Sequence, residues 1–117
     1  MKFMLMVVTI ITISAFPGPD KLTGRWESIS KTGNVTGVIF RADNTFEGYV
    51  NKKPFVTGTY TYQDNVFSFV DNGCEGIRGT YKTNFYSNSD SMRFELVGDS
   101  CTERRNGMLN LVLGKVK

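Results

Sequence analysis

Two pairs of carboxylates sit four residues apart in the chain, Asp71 with Glu75 and Asp99 with Glu103. A pair of acids flanking a scissile bond is the machinery of glycoside hydrolysis, so either pair is a candidate for acid–base chemistry. A simpler reading stands beside it, in which these are loop acids paired at the surface with Arg78, Arg104 and Arg105. The chain has no histidine, which removes the commonest general base, the commonest metal ligand and the usual haem ligand together. We therefore assign no catalytic residue, no metal and no cofactor, and expect a protein that is not an enzyme.

Cys74 and Cys101 are the only cysteines. In an exported protein an isolated pair forms a structural disulfide more often than a metal or redox site. A bridge closing residues 74–101 is worth roughly 3–4 kcal/mol in the chain-entropy description. Export is indicated by the N-terminus: Met1 and Lys2 precede an uncharged apolar stretch, Phe3 to Ile13, and then Ser14-Ala15-Phe16-Pro17-Gly18. These read as the parts of a secretory leader over residues 1–15, with a mature domain over 16–117 that is secreted or periplasmic. The apolar stretch is shorter than the roughly 20 residues a membrane-spanning helix needs, so no span is expected after cleavage. No cysteine sits near the expected cleavage point, which argues against a bacterial lipid anchor.

The formal charge is +3, from 14 basic and 11 acidic side chains, and it falls by one when Lys2 leaves with the leader. That balance is too mild for a nucleic-acid partner, which calls for a basic stripe. A chain of this length holds one core, and its Gly, Phe and Tyr content suits β structure. We expect a monomer. Asn34-Val35-Thr36 is a glycosylation sequon, relevant only in a eukaryotic secretory pathway.

The elements that must position these residues are short strands with period-2 alternation, expected near 24–30, 35–42, 45–50, 55–62, 65–71, 77–86, 91–98 and 107–116. The connections at Asp43-Asn44, Gln63-Asp64-Asn65 and Ser87-Asn88-Ser89-Asp90 are tight and made of hairpin-turn residues. In an up-and-down meander they share one end. The longer connections, Lys31 to Asn34, Asn51 to Pro54, Asn72 to Gly76 and Asp99 to Asn106, share the other, which brings both cysteines to neighbouring loops. Alternation places Val38, Phe40, Phe46, Val50, Tyr60, Tyr62, Phe67, Phe69, Ile77, Tyr81, Phe85, Met92, Phe94, Leu96, Leu109, Leu111 and Leu113 on one face. Gly-Thr-Tyr occurs at 58–60 and again at 79–81. A strand glycine lets the sheet bend or lets a neighbouring ring fill the space, one structural need met twice.

Gly24-x-Trp26 opening the first strand after an irregular lead-in, the eight-strand meander and the longer loops at one end together resemble the lipocalin and wider calycin group. Phe40 to Phe46, and Cys74 to Arg104 with Gly79-Thr80-Tyr81 and Asp99-Ser100-Cys101 inside it, look like small exported lipocalin-like bacterial proteins. The resemblance implies an all-β, up-and-down antiparallel barrel. It also implies that Gly24 and Trp26 lie at its closed end, under a basic side chain from the end of the last strand. Lys115 or Lys117 holds that place where the family has arginine. The resemblance implies further a small apolar or amphipathic ligand in the interior, against Phe40, Phe46, Tyr60, Tyr62, Phe67, Phe69, Tyr81 and Phe94. A barrel of this size is either filled by its own side chains or holds one small ligand, and both remain open. A pocket would have its mouth at Lys31, Lys52, Lys53, Arg104 and Arg105, with Tyr49, Tyr60, Tyr62 and Tyr81 as polar contacts, and would suit an anionic amphiphile such as a fatty acid. The rival is a filled barrel acting through its loops on a protein, for example as an inhibitor of secreted hydrolases.

Overall fold

The computed structural model describes residues 21–117. The leader expected over residues 1–15 lies outside them. Eight strands follow in chain order: β1 (Gly24–Ile29), β2 (Val35–Phe40), β3 (Thr45–Val50), β4 (Lys53–Gln63), β5 (Val66–Asp71), β6 (Gly79–Tyr86), β7 (Ser91–Gly98) and β8 (Val112–Lys115). Each pairs antiparallel with its neighbour in sequence, and β8 returns to β1 through Trp26↔Lys115 and Glu27↔Gly114, closing an eight-stranded up-and-down barrel. Closure leaves no exposed sheet edge, which is how so short a chain avoids edge-to-edge association.

The hairpins turn where small polar residues accept a left-handed backbone. Asn44, Asp64, Asn65, Ser87, Asn88 and Ser89 all have positive φ, the conformation Asn and Asp tolerate best after glycine. The connection expected over Asn51 to Pro54 is tighter than the sequence suggested. Asn51 and Lys52 alone make the turn, at φ 48° and 72°, and Val50 pairs with Lys53. Pro54 sits inside β4, on the part that overhangs β5, where its missing N–H costs no ladder bond. One residue further on, Gly48 opposes Val56 and Tyr49 opposes Pro54, so Phe55 is the extra residue of a β-bulge.

The segment expected to open an eighth strand at residue 107 is instead a helix. α1 (Thr102–Leu109) precedes a strand of four residues, β8. Its sequence, Thr-Glu-Arg-Arg-Asn-Gly-Met-Leu, lacks the alternation a strand needs, and Glu103 in its first turn suits the positive end of the helix dipole. None of its residues is fully buried, and of its apolar side chains Met108 packs against the core while Leu109 is exposed. The Cys74–Cys101 disulfide, Cα–Cα 6.2 Å, ties down its N-cap residue.

The core follows the alternation closely. Trp26, Phe40, Phe46, Tyr60, Phe67, Phe69, Tyr81, Met92, Phe94 and Leu113 are buried, with Val38, Tyr62, Phe85 and Leu111 packed against them. Val50, Ile77, Leu96 and Leu109 are exposed instead. Val50 stands at a hairpin end, Ile77 in the turn before β6, Leu96 beside the irregular β6–β7 register at Thr80/Tyr81, and Leu109 on α1. Leu22, from the lead-in, is fully buried in the core.

Three glycines face aromatic rings across the ladder, Gly37↔Tyr49, Gly58↔Phe46 and Gly79↔Phe69. At Gly58 a Cβ would stand 2.8 Å from Phe46 Cε1 and 2.1 Å from the Val70 carbonyl oxygen. The repeated Gly-Thr-Tyr is thus a space left for a neighbour's ring, as the sequence suggested.

Candidate functional site

The two ends of the barrel differ in chemistry. At the end bearing the β2–β3, β4–β5 and β6–β7 turns the interior is solid. Trp26 is fully buried and donates its indole N–H to the Leu22 carbonyl at 2.9 Å. Lys115 crosses from β8, its Nζ 5.0 Å from the Trp26 ring centre and 3.0 Å from the Thr23 carbonyl. A Cβ at Gly24 would meet that lysine at 3.1 Å. Lys115 therefore fills the place the sequence comparison offered to either lysine, while Lys117 pairs with Asp90 on the surface.

The opposite end is hollow. An apolar cup of about 570 Å³ opens between the disulfide, α1 and strands β2 to β4, within the range of small-molecule sites. Its floor is Phe40, Phe46, Phe67, Phe69, Phe94 and Leu113. One wall is Thr36, Val38, Gly48, Phe55 and Val56, and the other is Glu103, Arg104, Gly107, Met108 and the two half-cystines. The floor consists largely of rings the sequence placed inward, because alternation reads the face of each strand.

The tyrosines are elsewhere. Tyr60 and Tyr62 lie near the closed end, Tyr60 donating to the Arg41 carbonyl at 3.1 Å and Tyr62 bonding Asn65 and Thr83. Their position just before the Asp64-Asn65 turn was the available signal. Tyr49 crosses Gly37 and donates to Glu27. Burial first, and then Glu27, push its hydroxyl up to about 12. Lys31 and Lys52, on turns at the open end, and Lys53, the first residue of β4, are exposed and do not line the cup. Arg105 reaches the Asp99 carbonyl at 3.3 Å, also outside the lining.

Arg104 does line it, but its charge is already engaged. Nε and Nη2 donate to the two Asp99 oxygens at 2.9 and 2.8 Å, Nη1 donates to Asp71 at 3.1 Å, and Nη2 also donates to the Ile77 carbonyl at 2.9 Å. The guanidinium lies over Phe69, 4.7 Å from the ring centre. The three charged side chains are 9% (Arg104), 0% (Asp99) and 5% (Asp71) exposed. Tyr81 donates to Asp99 at 2.5 Å, and the Cys101 N–H donates to it at 3.0 Å. Burial is the strongest single influence on Asp99 and acts to raise its pKa. Arg104, Tyr81 and the Cys101 amide together outweigh it and hold the carboxyl below its usual range. Burial and then Asp99 move the Tyr81 hydroxyl well above the ordinary phenol. Of the four loop acids, Asp71 and Asp99 do pair with Arg104, in the wall of the barrel and not at its surface, while Glu75 and Glu103 are exposed and make no ion pair among the described residues.

Gly79 makes this cluster possible, since a Cβ there would stand 2.9 Å from Asp99, 3.0 Å from Arg104 and 3.1 Å from Phe69. Sequence reasoning missed Phe55, Met108 and Gly107 as lining residues, the first because a bulge re-aims it and the others because they lie on α1. Among the described residues no three metal-ligating side chains gather in one place, and no helix is long and apolar enough to cross a membrane. Searches of protein-family models, curated proteins and solved structures find no match to this chain.

Proposed function

We propose that this chain is an exported, lipocalin-like binding protein that holds one small apolar or amphipathic molecule in the cup and carries out no chemistry on it. The observation that carries this reading is the cup itself: about 570 Å³ of largely apolar space, open at one end and floored by packed phenylalanine rings at the other. The Trp26–Lys115 packing at the closed end supports the lipocalin-like reading, and the disulfide supports an oxidising compartment. The engagement of Asp71 and Asp99 by Arg104 supports binding over catalysis, because a general acid or base needs a carboxylate free to exchange protons. A filled barrel working only through its loops draws less support, since it has no use for the cup.

Native mass spectrometry tests the reading, comparing protein taken from its own secretory compartment before and after organic extraction. A small adduct removed by extraction is expected. A clean apo mass, together with no uptake of a neutral apolar dye, refutes carriage. Gly107→Trp is the matching variant: Gly107 lines the cup and a Cβ there meets nothing within 4 Å. The large ring should obstruct the cup and abolish dye uptake without unfolding the barrel.

A further inference from the structure

Resting on the reading of the cup as a binding site, we infer that its ligand carries a cationic polar end and that the cup discriminates against carboxylates. The lining charges decide this. Arg104 is the one cation that faces the cup among the described residues, and it has almost nothing left to offer. Four of its five N–H donors are spent, two of them on Asp99 and the others on Asp71 and the Ile77 carbonyl. Its partners contribute two negative charges against its one, so the trio is net negative as it stands.

A fourth charge adds to the same sign. Glu103 lines the cup from the first turn of α1, is exposed, and makes no ion pair among the described residues. The lysines that would draw an anion, Lys31 and Lys52 on turns and Lys53 at the start of β4, stand in solvent outside the lining, where charges are screened over about 8 Å. The apolar part of the cup agrees. Phenylalanine rings present negative faces that attract cations, and Phe69 already holds the Arg104 guanidinium in this way. A ligand with an apolar body and an ammonium end would place its body over the floor and its charge at the rim by Glu103. A carboxylate would meet Asp71 and Glu103 with only one Arg104 N–H left over to compensate, a cost that binding of the apolar body would have to overcome.

The test is competition between three ligands of equal chain length, decylammonium, decanol and decanoate, for a neutral apolar fluorescent dye held by the intact disulfide-bonded protein near pH 7. The ammonium should bind about fivefold more tightly than the alcohol, and the carboxylate about fivefold more weakly, as a partly exposed ion pair allows. Glu103→Gln should reduce the ammonium preference and Glu103→Lys should reverse it. Glu75→Gln, the same change on an exposed loop residue outside the lining, should leave the order unchanged. Because Glu103 is exposed and unpaired, these variants keep the fold, which far-UV circular dichroism verifies. Decanoate binding as tightly as decanol overturns the inference while leaving the cup a binding site. Failure of all three to displace the dye, or of the dye to bind, removes the site and the inference with it.

Discussion

Gly79 shows how one missing methyl organises the open end. The position packs against Asp99, Arg104 and Phe69 at once, so Gly79→Ala should cost about 1–3 kcal/mol, the usual range for overpacking a closed site. Urea unfolding measures this, and a double-mutant cycle with Asp99→Asn identifies the cause. If the loss comes from disturbing the ion cluster, the two effects are less than additive, whereas full additivity would place the strain elsewhere. Gly58→Ala should be worse, because there the obstruction is the Val70 carbonyl, backbone that cannot rotate away. Arg104→Leu is the harsher test of the cluster. It strands two carboxylates that are 0% and 5% exposed without their cation, and a loss of about 3 kcal/mol or more is expected from denaturation.

At the scale of elements, the strand order and the Asp/Asn hairpins were legible because each is a local signal, a period of two or a turn residue, and the disulfide because the chain has only two cysteines, which the meander brings to neighbouring loops. The aromatic floor of the cup was legible from the same period of two. What escaped depends on neighbours in space. Lys52 has no chemical mark of a left-handed turn, and the bulge at Phe55 exists only in register with Gly48 and Tyr49. α1 escaped because eight residues with no fully buried side chain carry no apolar period. It is fixed mainly at its N-terminal end, by Cys101 and Arg104. Two opposite predictions follow from this arrangement. Gly107→Ala introduces a Cβ into open space and should stabilise the helix by about 0.5–1 kcal/mol, seen as a higher melting temperature. Removing the disulfide with Cys74→Ser and Cys101→Ser should cost roughly 3 kcal/mol, with α1 amides losing exchange protection before those of the barrel strands.

For the whole molecule, the two ends should respond to acid differently. Asp99 has a lowered pKa in the folded protein, so its contribution is complete above the unfolded value of about 3.9 and is lost as pH falls through the folded value. Protonation there removes the charge that Arg104 grips twice and that Tyr81 and the Cys101 amide also bond. At the closed end the Thr45 hydroxyl and then its amide hold the exposed turn carboxyl of Asp43 below its usual range, but the Trp26 packing does not rest on that turn, since the indole is held by a backbone carbonyl and covered by Lys115. Trp26 is the only tryptophan, so its emission reports that end alone, and amide exchange in α1 reports the other. Lowering pH below about 4 should expose α1 to exchange while Trp26 emission remains that of a buried indole, and only further acid should shift it. Coincident transitions would instead mean that the barrel opens as one unit and that the cluster does not set the stability of the mouth. The alkaline side reverses the sign: Tyr49 and Tyr81 have raised pKa values, so their contributions are complete below about 10 and fade as pH rises through the folded values. Tyr49→Phe should flatten that alkaline decline, and it should leave the acid response of α1 unchanged because Tyr49 bonds Glu27 and does not line the cup.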